Sequence, residues 1–199
     1  LELCTKQEAN VQFTMADRKI NAVMSTSAGR LFDGVSAILG IRRKSTFEGE
    51  ASMALEFVAE EYQKNRLKNA KKMPEIPTYE LLKEGNDRLL LNTGSLIKEI
   101  LYRRLNGEDS DRLAYIFHQE LARQITASCV KIREQSGCNK AALSGGVFQN
   151  RLLLELTDHM LKQQGFEVLK HQLVPPNDGG IALGQAVYAM AYLDRNRNK

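Results

Sequence analysis

Apolar residues recur at helical spacing along most of this chain, while strand-like runs are few and short. Leu31, Val35, Ile38 and Leu39 form one stripe, which predicts a helix over about 27–39. Ser25–Ser27 supply its N-cap candidates, and Gly40 sits just past its end. A second helix is expected over 51–66, after which Met73-Pro74-Glu75-Ile76-Pro77 breaks the pattern. Residues 78–82 and 88–91 read as short strands around a hairpin-like Gly85-Asn86-Asp87 turn. Leu96, Ile97, Ile100 and Leu101 mark a helix over 94–105. Asp109 or Ser110 then caps a long helix whose stripe is Leu113, Ile116, Phe117, Leu121, Ile125, Cys129 and Ile132. His118, one step beyond Phe117, reads as a helix-boundary histidine. Residues 1–24 are poorly patterned and read as an ordered leftover or a strand, and 195–199 are expected to be a disordered tail.

The last third alternates strand, helix, strand, helix, which argues for an α/β layer. Strands are expected over 140–143 and 166–169, and helices over 151–164 and 181–193. Between the first strand and its helix lies Leu143-Ser144-Gly145-Gly146-Val147-Phe148-Gln149-Asn150. Two glycines let backbone approach a ligand without a Cβ in the way, and the free N–H groups of the next helical turn suit a phosphate. A turn that is merely tight fits the same residues. Val174-Pro175-Pro176-Asn177-Asp178-Gly179-Gly180 precedes the final helix. There Asn177 or Asp178 can cap that helix, or Asp178 can serve as a hard carboxylate ligand to a metal. One carboxylate does not make a metal site. Asp33 lies beside the apolar stripe of its helix, either as a plain surface carboxylate or as an acceptor for ribose hydroxyls.

Composition narrows the function classes. At 199 residues, 43% apolar and 26% charged, the chain has an ordinary globular make-up and room for one substantial core. No apolar run approaches the ~18 residues that a membrane span needs. Three cysteines, Cys4, Cys129 and Cys138, show no framework spacing and suggest a reducing, cytoplasmic setting. Cys129 falls on an apolar stripe and reads as core. The net charge of +4 owes most to the run Lys64 to Lys72. Without interleaved aromatics or a nucleic-acid fold, that run reads as a solvated helix end, so a nucleic-acid partner is not expected.

Several segments together resemble a known family. They are Ser27 to Asp33, Phe47-Glu48-Gly49-Glu50-Ala51, Ile116-Phe117-His118, Leu143 to Asn150 and Val174 to Gln185. In order, from about Ser25 to Ala189, they resemble the C-terminal domain of the HypF carbamoyltransferases of NiFe-hydrogenase maturation. A broader similarity reaches the TsaD tRNA threonylcarbamoyltransferases and the superfold of actin, heat-shock chaperones and sugar kinases. The resemblance implies an α/β, helix-rich, ribonuclease-H-like lobe over 25–194. It implies a cofactor, ATP or carbamoyl-adenylate, held between two lobes. Gly145, Gly146 and Val147 match the family's phosphate cradle, Asn150 a nucleotide contact, and Asp33 the ribose-binding acid. Gly49 falls in the segment that closes over the nucleoside, and Asp178 matches the ligand of a divalent metal (Zn, Fe or Mg).

Departures from the wider pattern are equally readable. Glu50 and the Phe148-Gln149 pair stand where the tRNA enzymes carry small residues, which favours the HypF side. The family's His-x-x-x-His metal pair is missing; His118, His159 and His171 are not so spaced, so the metal would be completed by ligands outside this chain. No Cys-x-x-Cys zinc module is present, and the chain begins at Leu1, so it reads as one excised lobe, inactive alone, with no catalytic residue of its own. The parent activity implied is synthesis of carbamoyl-adenylate from carbamoyl phosphate and ATP, then carbamoyl transfer to the C-terminal cysteine of a HypE partner. The upstream lobe of the same protein is the other expected partner. A TsaD-like tRNA enzyme and a non-catalytic interaction lobe are the alternatives.

Overall fold

The structure is a computed structural model describing residues 3–69, 79–84 and 88–197. Its elements run α1 (Lys6–Asp17), α2 (Ala28–Ile38), α3 (Glu50–Lys68), β1 (Leu82–Glu84), β2 (Arg88–Leu90), α4 (Thr93–Leu105), α5 (Ser110–Ser136), β3 (Lys140–Leu143), α6 (Arg151–Gln163), β4 (Glu167–Lys170) and α7 (Ile181–Arg197). Single 3-10 turns, Gly146–Gln149 and Asp178–Gly180, precede α6 and α7. The chain forms two compact units, Leu1–Gln124 and Ile125–Lys199, where one lobe over 25–194 is expected from the sequence.

The first unit is helical. Phe32, Val35 and Leu39 of α2 and its end, Leu55 of α3, Leu96 and Ile100 of α4, and Leu113 and Phe117 of α5 are all buried. Each such side chain contributes about 1.5–3 kcal/mol by leaving water. Phe32 meets Phe117 edge-on with ring centroids 5.0 Å apart. Of the stripe that predicts α2, Val35 and Leu39 are buried, while Leu31 and Ile38 are half-buried and Phe32, outside the stripe, joins the core. Gly40 ends that helix as expected, with Ile41 N–H donating to Ser36 C=O and Gly40 N–H to Ala37 C=O. Ser110 Oγ donates to the Leu39 carbonyl at 2.8 Å, tying the start of α5 to the end of α2. β1 and β2 pair antiparallel in the register Leu82↔Leu90, Lys83↔Leu89, Glu84↔Arg88. The Met73–Pro77 break and the Gly85–Asp87 turn lie outside the described residues.

Three expectations are corrected by the structure. The N-terminal segment holds a helix, not a strand: Thr5 accepts from Glu8 N–H and Glu8 reaches back to Thr5 N–H, a capping box that starts α1 without an apolar stripe. His118 lies in the interior of α5, fully buried, and not at a helix boundary. The tail likewise stays helical as far as Arg197.

In the second unit β3 and β4 are parallel, pairing Ala141↔Val168 and Leu143↔Lys170. Ala141, Leu143, Leu161 and Phe166 form its buried cluster, with Cys129, Val130, Phe148 and Leu154 packed against it. Cys129 is thus core-facing, as its stripe suggests, and burial pushes its thiol pKa up, away from reactivity. Arg133 clamps this unit: one Nη1 donates to Asn139 Oδ1 and to the Gln164 carbonyl, and the guanidinium lies 4.3 Å from the Phe166 ring centroid.

Candidate functional site

The two glycine-rich loops meet at the carboxyl ends of β3 and β4. Gly145 N–H donates to the Pro176 carbonyl at 2.8 Å, which places the Asp178 turn beside the glycine pair. Gly145 adopts φ 95°, ψ 159°, a region closed to residues with a Cβ, so the chain needs glycine to leave β3 in this direction. Gly146 then opens the 3-10 turn. Phe148 N–H folds back to Gly145 C=O and Asn150 N–H to Val147 C=O, whereas the Gly146 and Val147 N–H groups have no acceptor among the described residues. Two unsatisfied donors at an exposed glycine are what a phosphate oxygen would bind.

Asn150 has a visible structural role. It is the N-cap of α6, its Oδ1 accepting from Leu153 N–H at 2.8 Å. Asn177 does the same on the second loop, accepting from Gly179 N–H at 3.1 Å, so of the two candidate caps the structure selects Asn177. That leaves the Asp178 carboxylate exposed, with no side chain paired to it among the described residues. At Gly180 an added Cβ would sit 2.8 Å from the Pro175 carbonyl oxygen, so the loop closes on Pro175 only because this residue is glycine.

His171, just past β4, meets Ser144 at the end of β3, with Nε2 and Oγ 2.8 Å apart. A concavity of about 310 Å³ lies alongside, lined among others by Leu143, Phe148, Leu154, Val174 and Pro175. Neither the Ser144–His171 contact nor the Gly145–Pro176 bond is legible from sequence, because each joins residues 27 or more positions apart.

Asp33 and Gly49 belong to the first unit. Asp33, on α2, is held on both oxygens: Arg30 Nη2 lies 3.0 Å from Oδ2, and Ser52 Oγ donates to Oδ1 at 3.3 Å. Ser52 is in the first turn of α3, whose N-cap is Gly49 in a left-handed conformation. Glu50 turns back into the preceding loop. Its carboxylate accepts from the Thr46 N–H and hydroxyl and pairs with Arg42 at 2.5 Å. The Thr46 N–H, foremost, holds the Glu50 pKa below its ordinary value against the cost of burial. The 42–49 loop is therefore a closed ring and not a loose tether.

The residues present do not by themselves make a metal site. Among the described residues no cluster of three His, Cys, Asp or Glu side chains is placed to hold an ion, and Asp178 is a single exposed carboxylate. His118 is no ligand either. Its Nδ1 is 2.8 Å from the Ala114 carbonyl, and Phe32 and Phe117 pack edge-on against its ring.

A family model described as the carbamoyltransferase Kae1-like domain, second subdomain, matches residues 2–185. The chain belongs to the HypF carbamoyltransferase family. It is 35% identical over 180 residues to a probable HypF carbamoyltransferase of Methanocaldococcus jannaschii, covering 90% of this chain and 21% of that relative. To the HypF carbamoyltransferase of Rhodobacter capsulatus it is 36% identical over 184 residues, covering 92% and 22%. The chain thus spans about a fifth of the length of these relatives. A full-length HypF crystallised in its phosphate- and nucleotide-bound form superimposes with a TM-score of 0.82 at 36% identity, over 96% of this chain and 24% of that one. A tRNA threonylcarbamoyltransferase of Francisella philomiragia is more distant, 25% identical over 173 residues covering 85% of this chain and 48% of that protein. The helix-rich α/β, ribonuclease-H-like lobe that the resemblance implies is the fold found. No helix among the described residues is long and apolar enough to cross a membrane.

Proposed function

We propose that this chain is the nucleotide-binding lobe of a HypF-type carbamoyltransferase. The parent enzyme, in this reading, makes carbamoyl-adenylate from carbamoyl phosphate and ATP in the cytoplasm. It then passes the carbamoyl group to the C-terminal cysteine of HypE on the way to the cyanide ligand of NiFe hydrogenase. The observation that carries the reading is the Gly145–Pro176 hydrogen bond, which brings two glycine loops to one end of the β3–β4 sheet in a family whose relatives are carbamoyltransferases.

The roles are those the family resemblance implies, and the Gly146 and Val147 N–H groups, without an acceptor among the described residues, support the phosphate part of them. Gly146 and Val147 N–H groups hold phosphate oxygens, Asn150 keeps the first turn of α6 in place beneath them, and Asp33 accepts from the ribose. Gly49 heads the turn that covers the nucleoside. In the transfer step the partner's thiolate sulfur attacks the carbamoyl carbon, the C–S bond forms, and the C–O bond to the phosphate breaks. AMP leaves with the bonding pair. Aligning such reactants lowers a barrier by up to about 7–11 kcal/mol, so a lobe that only positions the adenylate still does most of what is needed. Since the nucleophile comes from the partner, no cysteine here has to be activated, in keeping with the partly buried Cys129, whose thiol pKa is raised. A divalent metal beside Asp178 would neutralise charge on the phosphates, its remaining ligands coming from elsewhere in the parent protein.

Titration calorimetry with ATP tests the two-lobe reading. This chain alone is expected to bind weakly or not at all, and affinity should return when the first subdomain of the domain is joined to it. Tight binding by the isolated chain, or robust tRNA modification by the full-length gene product, would overturn the assignment.

A further inference from the structure

Asp33 is oriented by two donors, one on each carboxylate oxygen: Arg30 from its own helix on Oδ2, and Ser52 from α3 on Oδ1. That division has a consequence for recognition. The last torsion of an aspartate is broad, so nothing within the side chain fixes the plane of the carboxylate. A donor on each oxygen does fix it. A carboxylate oxygen offers about two acceptor positions, so each oxygen of Asp33 keeps one position for a ligand. The side chain is partly open, 28% exposed, so those positions can be reached. Two acceptors at fixed separation in one plane suit two hydroxyls on neighbouring carbons.

We infer that Ser52 is a positioning residue that, with Arg30, sets the Asp33 carboxylate to accept from both hydroxyls of a ribonucleoside's vicinal diol. This rests on the reading of Asp33 as the ribose acceptor, and it adds the residue that makes the acceptor two-pronged. Ser52 is suited to the task. It is half-buried in the first turn of α3, and its hydroxyl bridges to α2, so the bond also records how the two helices are set against each other.

The test is competition of ATP and 2′-deoxy-ATP against a fluorescent ATP analogue, on the full-length product of the gene. The unaltered protein should prefer ATP by about ten- to hundredfold, the worth of one hydrogen bond to a charged acceptor. Ser52→Ala should lower ATP affinity by about three- to tenfold and shrink the ribo/deoxy preference by a similar factor, because the carboxylate is then free to turn. Ser52→Thr, which keeps the hydroxyl, should restore the preference to within about twofold. A purely structural role for Ser52 would weaken both nucleotides alike and leave their ratio unchanged. That result, with the ratio collapsing in Asp33→Asn, overturns the positioning role while the ribose reading stands. A ratio that survives Asp33→Asn overturns both.

Discussion

At the scale of single residues, His118 shows how far burial outweighs local pattern. It follows Phe117 on α5, is fully buried, and meets Phe32 and Phe117 edge-on, with its Nδ1 on the Ala114 carbonyl. Burial lowers its pKa from 6.5 to about 4, against the Ala114 hydrogen bond and the charge of Glu60. In the unfolded chain the imidazole takes a proton below about pH 6.5, which the folded chain refuses until about pH 4. Stability therefore falls as pH drops through that window, by roughly 2 kcal/mol between pH 7 and pH 5 on account of this one group. Urea unfolding at the two pH values measures the loss, and His118→Gln should flatten it whatever its own stability. An unchanged slope in that variant would place the imidazole in water. A second residue-scale expectation sets two glycines against each other. Gly180→Ala puts a methyl 2.8 Å from the Pro175 carbonyl and should destabilise by about 1–3 kcal/mol. Gly184→Ala, inside α7 with nothing within 4 Å, should stabilise by about 0.5–1 kcal/mol. Equal signs for the two in thermal or urea unfolding would contradict the close approach of this loop to Pro175.

At the scale of elements, α5, β3 and α6 of the second unit are joined by the Arg133 clamp. Its guanidinium bonds the Asn139 side chain and the carbonyl at the end of α6, where the helix dipole favours a cation, and stacks on Phe166. Lysine can supply the charge but not the planar fork. Arg133→Met should cost about 1–3 kcal/mol, and Arg133→Lys should recover only a minor part of it in urea unfolding. Full recovery by lysine would reduce the clamp to simple charge. Elements of this kind were legible only in part. Helices with a one-sided stripe, such as α2 and α6, announce themselves, because part of the buried face, Val35 and Leu39 on α2 and its end and Leu152, Leu153 and Leu161 on α6, recurs at helical spacing. β3 is equally plain, with Lys140–Leu143 ending at the glycine pair. By contrast α1 has no buried residue and is started by a capping box, so hydrophobic periodicity has nothing to report there. The candidate site divides the same way. The glycine loops carry their geometry in their own residues, whereas Ser52 acts on a carboxylate 19 positions away and leaves no local signal.

At the scale of the whole molecule, the last helix raises the question of what counts as a complete burial unit. α7 reads Ile181-Ala-Leu-Gly-Gln-Ala-Val-Tyr-Ala-Met-Ala-Tyr-Leu193, apolar on nearly every side, yet Ile181, Val187, Tyr188, Met190 and Leu193 are all more than half exposed. A helix apolar all round is normally buried, and the chain spans only about a fifth of the relatives it matches. The exposed face contributes nothing to the stability of this chain by itself, since its side chains remain in water after folding. Replacing Tyr188 and Met190 together by glutamine should therefore change the unfolding free energy of the chain by no more than about 0.5 kcal/mol, as for surface positions generally. Binding of the hydrophobic dye ANS should fall in the same variant, because the apolar surface it recognises is reduced. Urea unfolding and dye fluorescence on one preparation decide the matter. A loss above about 1 kcal/mol would mean that α7 is buried in solution, and that this chain completes its own core.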